Sequence, residues 1–433
     1  MAGGRIGGGD TARGASGDVD LGGRDDVDLG GPGVEGLGAD AAAPSAARDD
    51  DAILGLGPAA SVHGGEVVLN VHDVERIAET VLSPGAAAYY NGGAWDESTL
   101  ADNVAAFARW RFRPRVLVEV AERDRSVEVL GRRWPTPFGT APMGLQRLAC
   151  PDGEVAAARA CADRGMTFTL STVASATIEE VAAVGGPRWF QLYVTPDVDW
   201  TMSLVRRAEA AGYEALVMTV DAAPLGRRER DHRVGLTLPP GVRYLNLVRR
   251  PSGAAPGEVS DDEGPQLYAR EYLKEALTPE DLARLVRESR LPVIVKGVLR
   301  GDDADAVIEA GAAGVWVSNH GGRQLDRSVA SIDALPDVVA AVRGRVPVLF
   351  DSGIRRGMDA LTALALGANA VFVGRPLLWG LAWDGERGAG AVLDMLRDEL
   401  DLAMAISGNV RASAIDPSIL VRADAAHLPW AAR

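Results

Sequence analysis

Cysteine, lysine and histidine are all scarce in this 433-residue chain, and long apolar runs are absent. The two cysteines, Cys150 and Cys161, have the spacing of neither a metal site nor a redox pair, which favours a reduced, cytoplasmic setting. No apolar run approaches the roughly 18–20 residues of a membrane span, so we predict no membrane partner. No metal site is predicted either.

Basic residues are too few to balance the acidic ones, and the formal net charge is −15, which argues against a nucleic-acid partner. Nearly half of this charge lies in residues 1–60, where eleven acids and four arginines give −7. That segment is mostly Gly, Ala and Asp, has no aromatic residue and buries too little apolar surface to fold. We predict that residues 1–62 form a disordered tail; a mis-assigned start is the alternative explanation.

Lysine is the rarest charged residue. Lys and Arg together number 45, and only Lys274 and Lys296 are lysines. Lys296 ends the apolar strand pattern Leu291–Lys296. A chain that uses arginine for almost all of its basic residues thus has an ammonium group at this position. This usage indicates a specific requirement at that strand end.

Short apolar runs alternate with helix-like segments from residue 137 onwards. Eight strands are predicted, at 138–143, 166–171, 188–194, 215–220, 292–297, 313–318, 346–351 and 369–374. Helix-like segments lie between most of them, for example at 153–164, 200–211, 302–310 and 356–366. The pattern predicts an α/β protein with a closed (β/α)₈ TIM barrel. A doubly wound open sheet is the alternative, but its Gly-x-Gly-x-x-Gly motif is missing.

The flanking segments divide the rest of the chain. We predict an N-terminal helical cap and barrel-bottom hairpin over 63–136, with a helix at 72–82 and a turn at Asn91–Gly93. The barrel covers 137–416 and includes a long lid insertion at 222–290, whose middle is rich in Pro, Gly and acids. A final helix at 386–406 and an extended tail at 417–433 complete the prediction.

Polar residues follow the predicted strands at their carboxyl ends, where barrels of this type carry their chemistry. After strand six, His320 stands close to Arg323, and a base beside a fixed cation suits proton removal from a substrate held by its carboxylate. Earlier strand ends supply further polar groups and a small residue, at Gly144, Ser171, Gln191, Tyr193, Thr219, Asp221, Arg228 and Lys296. A solvated glycine-rich turn, or ordinary polar filling of the rim, is the alternative reading of any one of them.

The last two strand ends predict a phosphate site. Asp351, Gly353, Arg355, Gly374 and Arg375 supply small residues, backbone N–H groups and guanidinium forks, and loops after strands seven and eight commonly bind phosphate in this fold. Because no Walker loop is present, a phosphate-bearing cofactor fits better than a nucleoside triphosphate. A flavin ring over the barrel axis would find its polar partners there, including a cation at Lys296.

Several short motifs stand at the strand ends and in the cap. They are Tyr89-Tyr90, Ala141-Pro-Met143-Gly144, Phe190-Gln-Leu-Tyr193, Thr219-Val-Asp221, Leu225-Gly-Arg-Arg228, Lys296-Gly297, Ser318–Asp326 and Gly374-Arg-Pro376. Together these motifs resemble the FMN-dependent (S)-2-hydroxy acid oxidase and dehydrogenase family over about residues 70–420. This family includes glycolate and lactate oxidases, lactate 2-monooxygenase and mandelate dehydrogenase.

The resemblance implies roles for individual residues. His320 resembles the base that removes a substrate proton, and Asp221 its imidazole partner. Arg228 and Arg323 would hold the substrate carboxylate with help from Tyr89, and Tyr193 would bind the reacting hydroxyl. Lys296 would face the N1 edge of FMN. The remaining FMN contacts would come from Met143, Gly144, Ser171, Gln191, Thr219, Ser318, Asp351, Gly353, Arg355, Gly374 and Arg375.

Two departures from the family pattern bear on substrate and oxidant. Val173 stands where many glycolate-oxidising members carry an aromatic residue, which favours lactate or a somewhat larger 2-hydroxy acid. Gly144 stands where Ala is commoner, as in the lactate monooxygenase branch. We expect an oxidase that uses O2, with a monooxygenase or a quinone- or cytochrome-linked dehydrogenase as alternatives. The resemblance also implies a homotetramer or homo-octamer.

Overall fold

The computed structural model describes residues 61–63, 66–222, 224–247 and 273–423, with side chains from residue 67 onwards. Its strands are Ser61–His63 (β1), Glu66–Val68 (β2), Trp110–Phe112 (β3), Val127–Val129 (β4), Arg132–Trp134 (β5), Phe138–Thr140 (β6), Phe168–Ser171 (β7), Arg188–Leu192 (β8), Leu216–Thr219 (β9), Val293–Val298 (β10), Gly314–Val317 (β11), Val348–Phe350 (β12), Ala370–Val373 (β13) and Leu420–Arg422 (β14). Its helices are Val71–Val81 (α1), Pro84–Asn91 (α2), Ser98–Ala105 (α3), Gly153–Ala162 (α4), Ile178–Ala182 (α5), Val198–Ala210 (α6), Glu229–Val234 (α7), Pro279–Glu288 (α8), Gly301–Glu309 (α9), Ser331–Val342 (α10), Gly357–Ala365 (α11) and Arg375–Ser407 (α12).

Strands β6 to β13 form one parallel sheet in the order β6-β13-β12-β11-β10-β9-β8-β7. Isolated parallel bridges from Gly139 to Thr167 and from Met143 to Leu170 join β6 to β7 and close the ring. Helices lie between successive strands, as a (β/α)₈ barrel requires. The predicted fold class is therefore confirmed.

Prolines mark the beginning of every second barrel strand. Each precedes its strand directly and has no N–H to donate, which suits the first position of a strand. The carbonyl of each accepts a hydrogen bond from the neighbouring strand at 2.8–3.1 Å; these residues are Pro137, Pro187, Pro292 and Pro347. The alternation therefore helps to set the register between odd and even strands.

Aromatic rings fill the barrel interior and its lower end. Trp316 lies 3.9 Å from Phe372 between ring centroids, and Trp189 lies 5.7 Å from Phe372. Trp134, at the end of the β4–β5 hairpin, packs on Trp189 at 5.3 Å. The hairpin turns through Leu130 and Gly131, both with positive φ.

The N-terminal segment differs in detail from the prediction. Strand β1 begins at Ser61, inside the range predicted as a disordered tail, while residues 1–60 lie outside the described part of the chain. The predicted turn at Asn91–Gly93 is the end of α2, because Asn91 is its last residue and the N–H of Gly92 still donates to the carbonyl of Ala88.

The described part of the predicted lid insertion 222–290 contains two helices, α7 and α8. Of these, α8 lies between β9 and β10 and is the regular barrel helix of that unit, so the part outside the barrel ends before Pro279. Its amphipathic pattern begins with Thr278 and Asp281, which form a capping box. The acidic middle, 250–265, lies outside the described residues.

The described part of the C-terminal segment, up to residue 423, pairs with the cap. Strand β14 pairs antiparallel with β3, and Ile419 just before it is fully buried. Arg422 bonds to Asp333, which also pairs with Arg109. The predicted final helix is the second half of α12, which begins at Arg375 and is interrupted by non-helical angles at Asp384 and Gly385.

The described helices include none with both the length and the apolar character that crossing a bilayer requires.

Candidate active site

A cavity opens at the carboxyl ends of the barrel strands, where the sequence predicted the chemistry. Its walls include sixteen of the predicted site residues, namely Tyr89, Met143, Gly144, Ser171, Val173, Tyr193, Thr219, Arg228, Lys296, His320, Arg323, Asp351, Gly353, Arg355, Gly374 and Arg375. Three others, Gln191, Asp221 and Ser318, lie one step behind the wall and hydrogen-bond to residues that form it. The structure thus brings all nineteen together.

His320 and Asp221 form the closest acid–base pair in this cavity. His320 Nδ1 lies 2.8 Å from Asp221 Oδ1, while Asp221 Oδ2 has no hydrogen-bond partner in the described structure. Burial lowers the pKa of His320 although the carboxylate opposes this shift. Burial acts to raise the pKa of Asp221, but the attraction and hydrogen bond of His320 outweigh it and the pKa falls. The pair therefore combines a neutral imidazole with an ionised carboxylate at neutral pH.

The backbone around His320 is left-handed over three residues. His320, Gly321 and Gly322 have φ values of 60°, 64° and 76°, and only glycine adopts this region freely. A Cβ at Gly322 would lie 2.5 Å from the backbone nitrogen of Leu100, at the start of α3. Gly322 thus allows the loop to pack closely on the cap, and not on a ligand. In this conformation His320 lines the cavity.

Arg228 and Arg323 reach the same cavity from different loops. Arg323 donates to the carbonyls of Tyr89 and Gly92 at 2.6 and 2.9 Å, and its guanidinium lies 5.2 Å from the centre of the Tyr89 ring. Burial and the charge of Arg228 lower the pKa of Arg323 to about 10. Arg228 is buried, and its Nε has no hydrogen-bond partner among the described residues.

Two phenols face these arginines. Burial raises the pKa of both Tyr89 and Tyr193, so both hydroxyls stay protonated at neutral pH and can donate hydrogen bonds. Tyr89 is the sixth residue of α2, whose Pro84 sits at its favoured first-turn position. The short helix therefore carries its tyrosine from the cap into the barrel mouth.

Lys296 lies in the second half of β10 and lines the cavity, as its rarity suggested. Its Nζ donates to Ser318 Oγ at 2.7 Å and lies 3.2 Å from Asp351 Oδ2. The next residue, Gly297, has φ 109°, and a Cβ there would lie 2.7 Å from Asp221. Because residue 297 is glycine, the strand after Lys296 can pass directly beside Asp221, the partner of His320.

A chain of side-chain hydrogen bonds spans β7, β8 and β9 below the cavity. Gln191 Oε1 accepts from Ser171 Oγ at 3.0 Å, and Gln191 Nε2 donates to Thr219 Oγ1 at 3.0 Å. This arrangement fixes the orientation of the Gln191 amide. It leaves the hydroxyls of Ser171 and Thr219 at the wall as polar contacts for a ligand.

Arg355 and Arg375 lie at the ends of the last two barrel strands. Burial lowers the pKa of both guanidinium groups. Arg355 stacks 4.7 Å from the ring centre of Trp379, and Arg375 donates to the carbonyls of Tyr90, Gly321 and Gly92. Within the described ranges neither has an ion-pair partner, and the same is true of Arg228 and Arg323. The cavity therefore holds four guanidinium groups that lack an anion.

Sequence reasoning missed residues that shape this site. Glu154 is buried in α4, and its carboxylate accepts from the backbone of Gln146 and Ser175, which orders the loops around Gly144 and Val173. Asp231 is buried in α7, its Oδ1 has no hydrogen-bond partner among the residues described, and burial raises its pKa. No local motif distinguishes either residue from an ordinary helix-surface acid.

The apolar wall was also incomplete in the prediction. Tyr244 and Leu273 line the cavity from both sides of the undescribed stretch 248–272, and Leu378 lines it from α12. The sequence did contain a signal for Leu378. Gly374-Arg-Pro at the end of strand eight indicates the start of a helix, because proline is favoured in the first turn.

Comparison with known proteins defines the class. The chain belongs to the family of FMN-dependent 2-hydroxy acid oxidases, because the model of the FMN-dependent dehydrogenase family matches residues 78–422. It is therefore an FMN-dependent oxidoreductase that acts on CH–OH groups.

Individual relatives are similar over almost their whole length. An L-lactate oxidase of Nostoc sp. is 47% identical over 357 residues, covering 81% of this chain and 98% of the relative. The 2-hydroxyacid oxidase 1 of Homo sapiens is 46% identical over 353 residues, covering 81% and 95%. A crystal structure of mandelate oxidase superposes with a TM-score of 0.75 at 40% identity and covers 82% and 98%.

The donor set of the cavity fits FMN. Among the described residues Arg355 and Arg375 have no anionic partner where a phosphate is expected, and Lys296, 3.2 Å from Asp351, adds a cation to the same cavity. Gly374 leaves room, since a Cβ there would meet nothing closer than Met143 Sδ at 3.4 Å. These residues would hold the phosphate and the ring edge of the cofactor.

Proposed function

We propose that this protein oxidises an (S)-2-hydroxy acid, lactate or a somewhat larger one, to the 2-oxo acid, with O2 as acceptor and H2O2 as product. The observation that carries the proposal is the 2.8 Å contact between His320 and Asp221 beside Arg228 and Arg323, which have no ion-pair partner in the described part of the chain. The similar L-lactate oxidase supports lactate as a substrate.

In this proposal His320 accepts a substrate proton, and Asp221 stabilises the imidazolium that forms. Arg228 and Arg323 hold the carboxylate, since two cations without anions in a buried site favour an anionic ligand. When bound, FMN accepts the two electrons that leave the substrate carbon.

Tyr89 and Tyr193 complete the proposed substrate site. Because burial keeps both phenols protonated, each can donate to a substrate oxygen, Tyr89 to the carboxylate and Tyr193 to the hydroxyl. We assign Lys296, with Ser318 and Asp351 as its partners, to the polar ring edge of FMN.

The substrate side chain is proposed to contact an apolar wall. Val173, Leu225, Tyr244 and Leu273 all line the cavity, and none is charged. An alkyl group gains roughly 0.8 kcal/mol per buried CH2 on such a wall, which favours lactate and longer acids over glycolate.

A substrate panel tests this assignment. Glycolate, lactate, 2-hydroxybutyrate and mandelate would be compared by kcat/KM with the 2-oxo acid and H2O2 both quantified. We expect lactate or 2-hydroxybutyrate to give the highest kcat/KM, with equimolar H2O2. A preference for glycolate would contradict the assignment of the apolar wall.

Gly144 favours one second candidate, a lactate 2-monooxygenase. Gly144 lines the cavity at the position where Ala is commoner in the oxidase family that the sequence resembles. The space beside the proposed flavin position therefore differs. Acetate and CO2 in place of H2O2 would identify that reaction. A reduced flavin that persists for minutes in air would instead indicate a quinone- or cytochrome-linked dehydrogenase. The homotetramer or homo-octamer stays a prediction, measurable by light scattering.

A further inference from the structure

Two loops each supply one acid–base group and one arginine to the cavity. The described loop residues between β9 and α7 include Asp221 and Arg228, whereas the loop after β11, residues 318–326, carries His320 and Arg323. The imidazole–carboxylate pair and the arginine pair therefore each have one member on each loop. A small shift of one loop past the other would disturb both pairs at once.

The side chain of Gln324 connects these loops. It is 7% exposed and uses both ends of its amide. Gln324 Nε2 donates to the carbonyl of Asp221 at 2.6 Å and to that of Pro224 at 3.4 Å, while Gln324 Oε1 accepts from the N–H of Gly226 at 3.2 Å. A donor and an acceptor are both required, and the side-chain amide of glutamine supplies both.

Gly226 brings the two backbones into direct contact at the same place. A Cβ on Gly226 would lie 2.4 Å from the carbonyl oxygen of Gln324 and 2.6 Å from that of Arg323. The absence of a side chain thus permits the spacing that the Gln324 amide then fixes. On its other side the Gln324 loop is held to the cap, where Asp326 accepts from the N–H of Thr99 at 2.8 Å.

We propose that Gln324 is a positioning residue that fixes the relative placement of the two loops, and through it both His320 against Asp221 and Arg228 against Arg323. The proposal rests on the function proposed above for these four groups. Displacement of reacting groups by about 1 Å costs on the order of a hundredfold in rate. Loss of the Gln324 contacts should therefore reduce flavin reduction and carboxylate binding together.

Two substitutions separate hydrogen bonding from shape. Gln324→Met keeps the length of the side chain and removes every hydrogen bond. We expect about a tenfold to hundredfold lower rate of anaerobic flavin reduction by lactate, together with a higher KM. Leu325→Met, at an adjacent and exposed position, is the matched control and should behave as the wild type.

Gln324→Glu adds a pH-dependent test. An ionised Glu would turn an acceptor towards the carbonyls of Asp221 and Pro224, whereas a protonated Glu can donate to one of them and still accept from Gly226. Burial raises the pKa of such a group. The reduction rate of this variant relative to the wild type should therefore rise as the pH falls from about 9 to about 6, while that of the Met variant stays flat.

The outcomes distinguish this proposal from the proposed function. If the wild type does not oxidise any of the four hydroxy acids, the proposed function fails. If the wild type is active and Gln324→Met matches it within about twofold in reduction rate and KM, the positioning role fails. Should the Met variant not retain FMN, the pH dependence of Gln324→Glu decides: a rising ratio supports the role and a flat ratio overturns it.

Discussion

Burial controls the protonation of individual residues around the cavity. It lowers the pKa of His320 and Arg323 and raises that of Tyr89 and Tyr193. A neutral base, two cations and two phenol donors therefore coexist at neutral pH. Each of these states is the one that the proposed reaction needs.

The pH dependence of flavin reduction follows from the His320 pKa. Only the neutral imidazole accepts a proton, and burial places its pKa below the usual 6.5. The rate should be constant above about pH 6.5 and fall as the pH decreases through the His320 pKa. In Asp221→Asn the interaction that raises this pKa is lost, so the acidic limb should move to lower pH and the maximum rate should fall. Anaerobic stopped-flow reduction across pH measures both effects, and a limb that moves upward would contradict the pairing.

Removal of the base should separate binding from chemistry. We expect His320→Gln to bind FMN normally and to be reduced by lactate at least about a hundredfold more slowly, because a positioned base contributes on the order of 10²–10⁴. FMN titration and single-turnover reduction provide the two measurements. Near-normal reduction by this variant would remove His320 from the proposed role.

Individual residues of the candidate site were predictable where a residue type suited to catalysis stands at the end of a predicted strand. Lys296 and His320 stand out because each is a rare residue type at the end of an apolar strand. Glu154 and Asp231 were missed because their burial depends on the packing of other elements, and no local pattern carries that information. Their environment exists only in the folded molecule.

At the scale of elements, the strands were predicted more reliably than the caps and loops. All eight barrel strands lie within their predicted ranges or extend one residue beyond, because buried parallel strands are continuous apolar runs. Helices α2 and α3 were not predicted, since their few apolar residues show no extended amphipathic period. The predicted lid insertion was too long because it included α8, whose polar capping residues resemble a loop in the sequence.

The loop after β6 gives an element-scale prediction. A Cβ at Gly144 would lie 2.7 Å from both Cγ2 and the carbonyl oxygen of Val173, so Gly144→Ala should displace the loop and cost about 1–3 kcal/mol. Gly144→Ala/Val173→Ala should regain part of this loss, because the Cγ2 contact is removed and the carbonyl contact is not. Thermal unfolding of the three variants, with Val173→Ala alone as the control, checks the order. Equal stability of Gly144→Ala and the wild type would contradict the close approach.

At the scale of the whole molecule, the C-terminal end of the described fold is joined to the N-terminal cap segment. Strand β14 pairs with β3, and Asp333 on α10 binds both Arg109 and Arg422. The C-terminal segment was expected to be an extended tail, and the sequence could not show this pairing because the two strands are separated by some three hundred residues. Long-range antiparallel contacts of short strands have no local signature.

Loss of this closure should affect stability without affecting chemistry. Ile419→Ala truncates a fully buried side chain that does not line the cavity and should lower the free energy of unfolding by about 2–5 kcal/mol. Leu402→Ala, at an exposed position on α12, is the control and should change it by less than about 0.5 kcal/mol. Denaturant unfolding and flavin reduction at low temperature give the two readouts. An Ile419→Ala protein as stable as the control would show that the segment is not part of the cooperative unit.

The scarcity of lysine has a practical consequence for labelling. Lys296 is only 4% exposed, whereas Lys274 is 33% exposed and follows Leu273 in the cavity wall. An amine-reactive fluorophore at high pH would therefore modify Lys274 and the amino terminus and spare Lys296. The label on Lys274 would report on the surroundings of the barrel mouth, with no engineered cysteine needed.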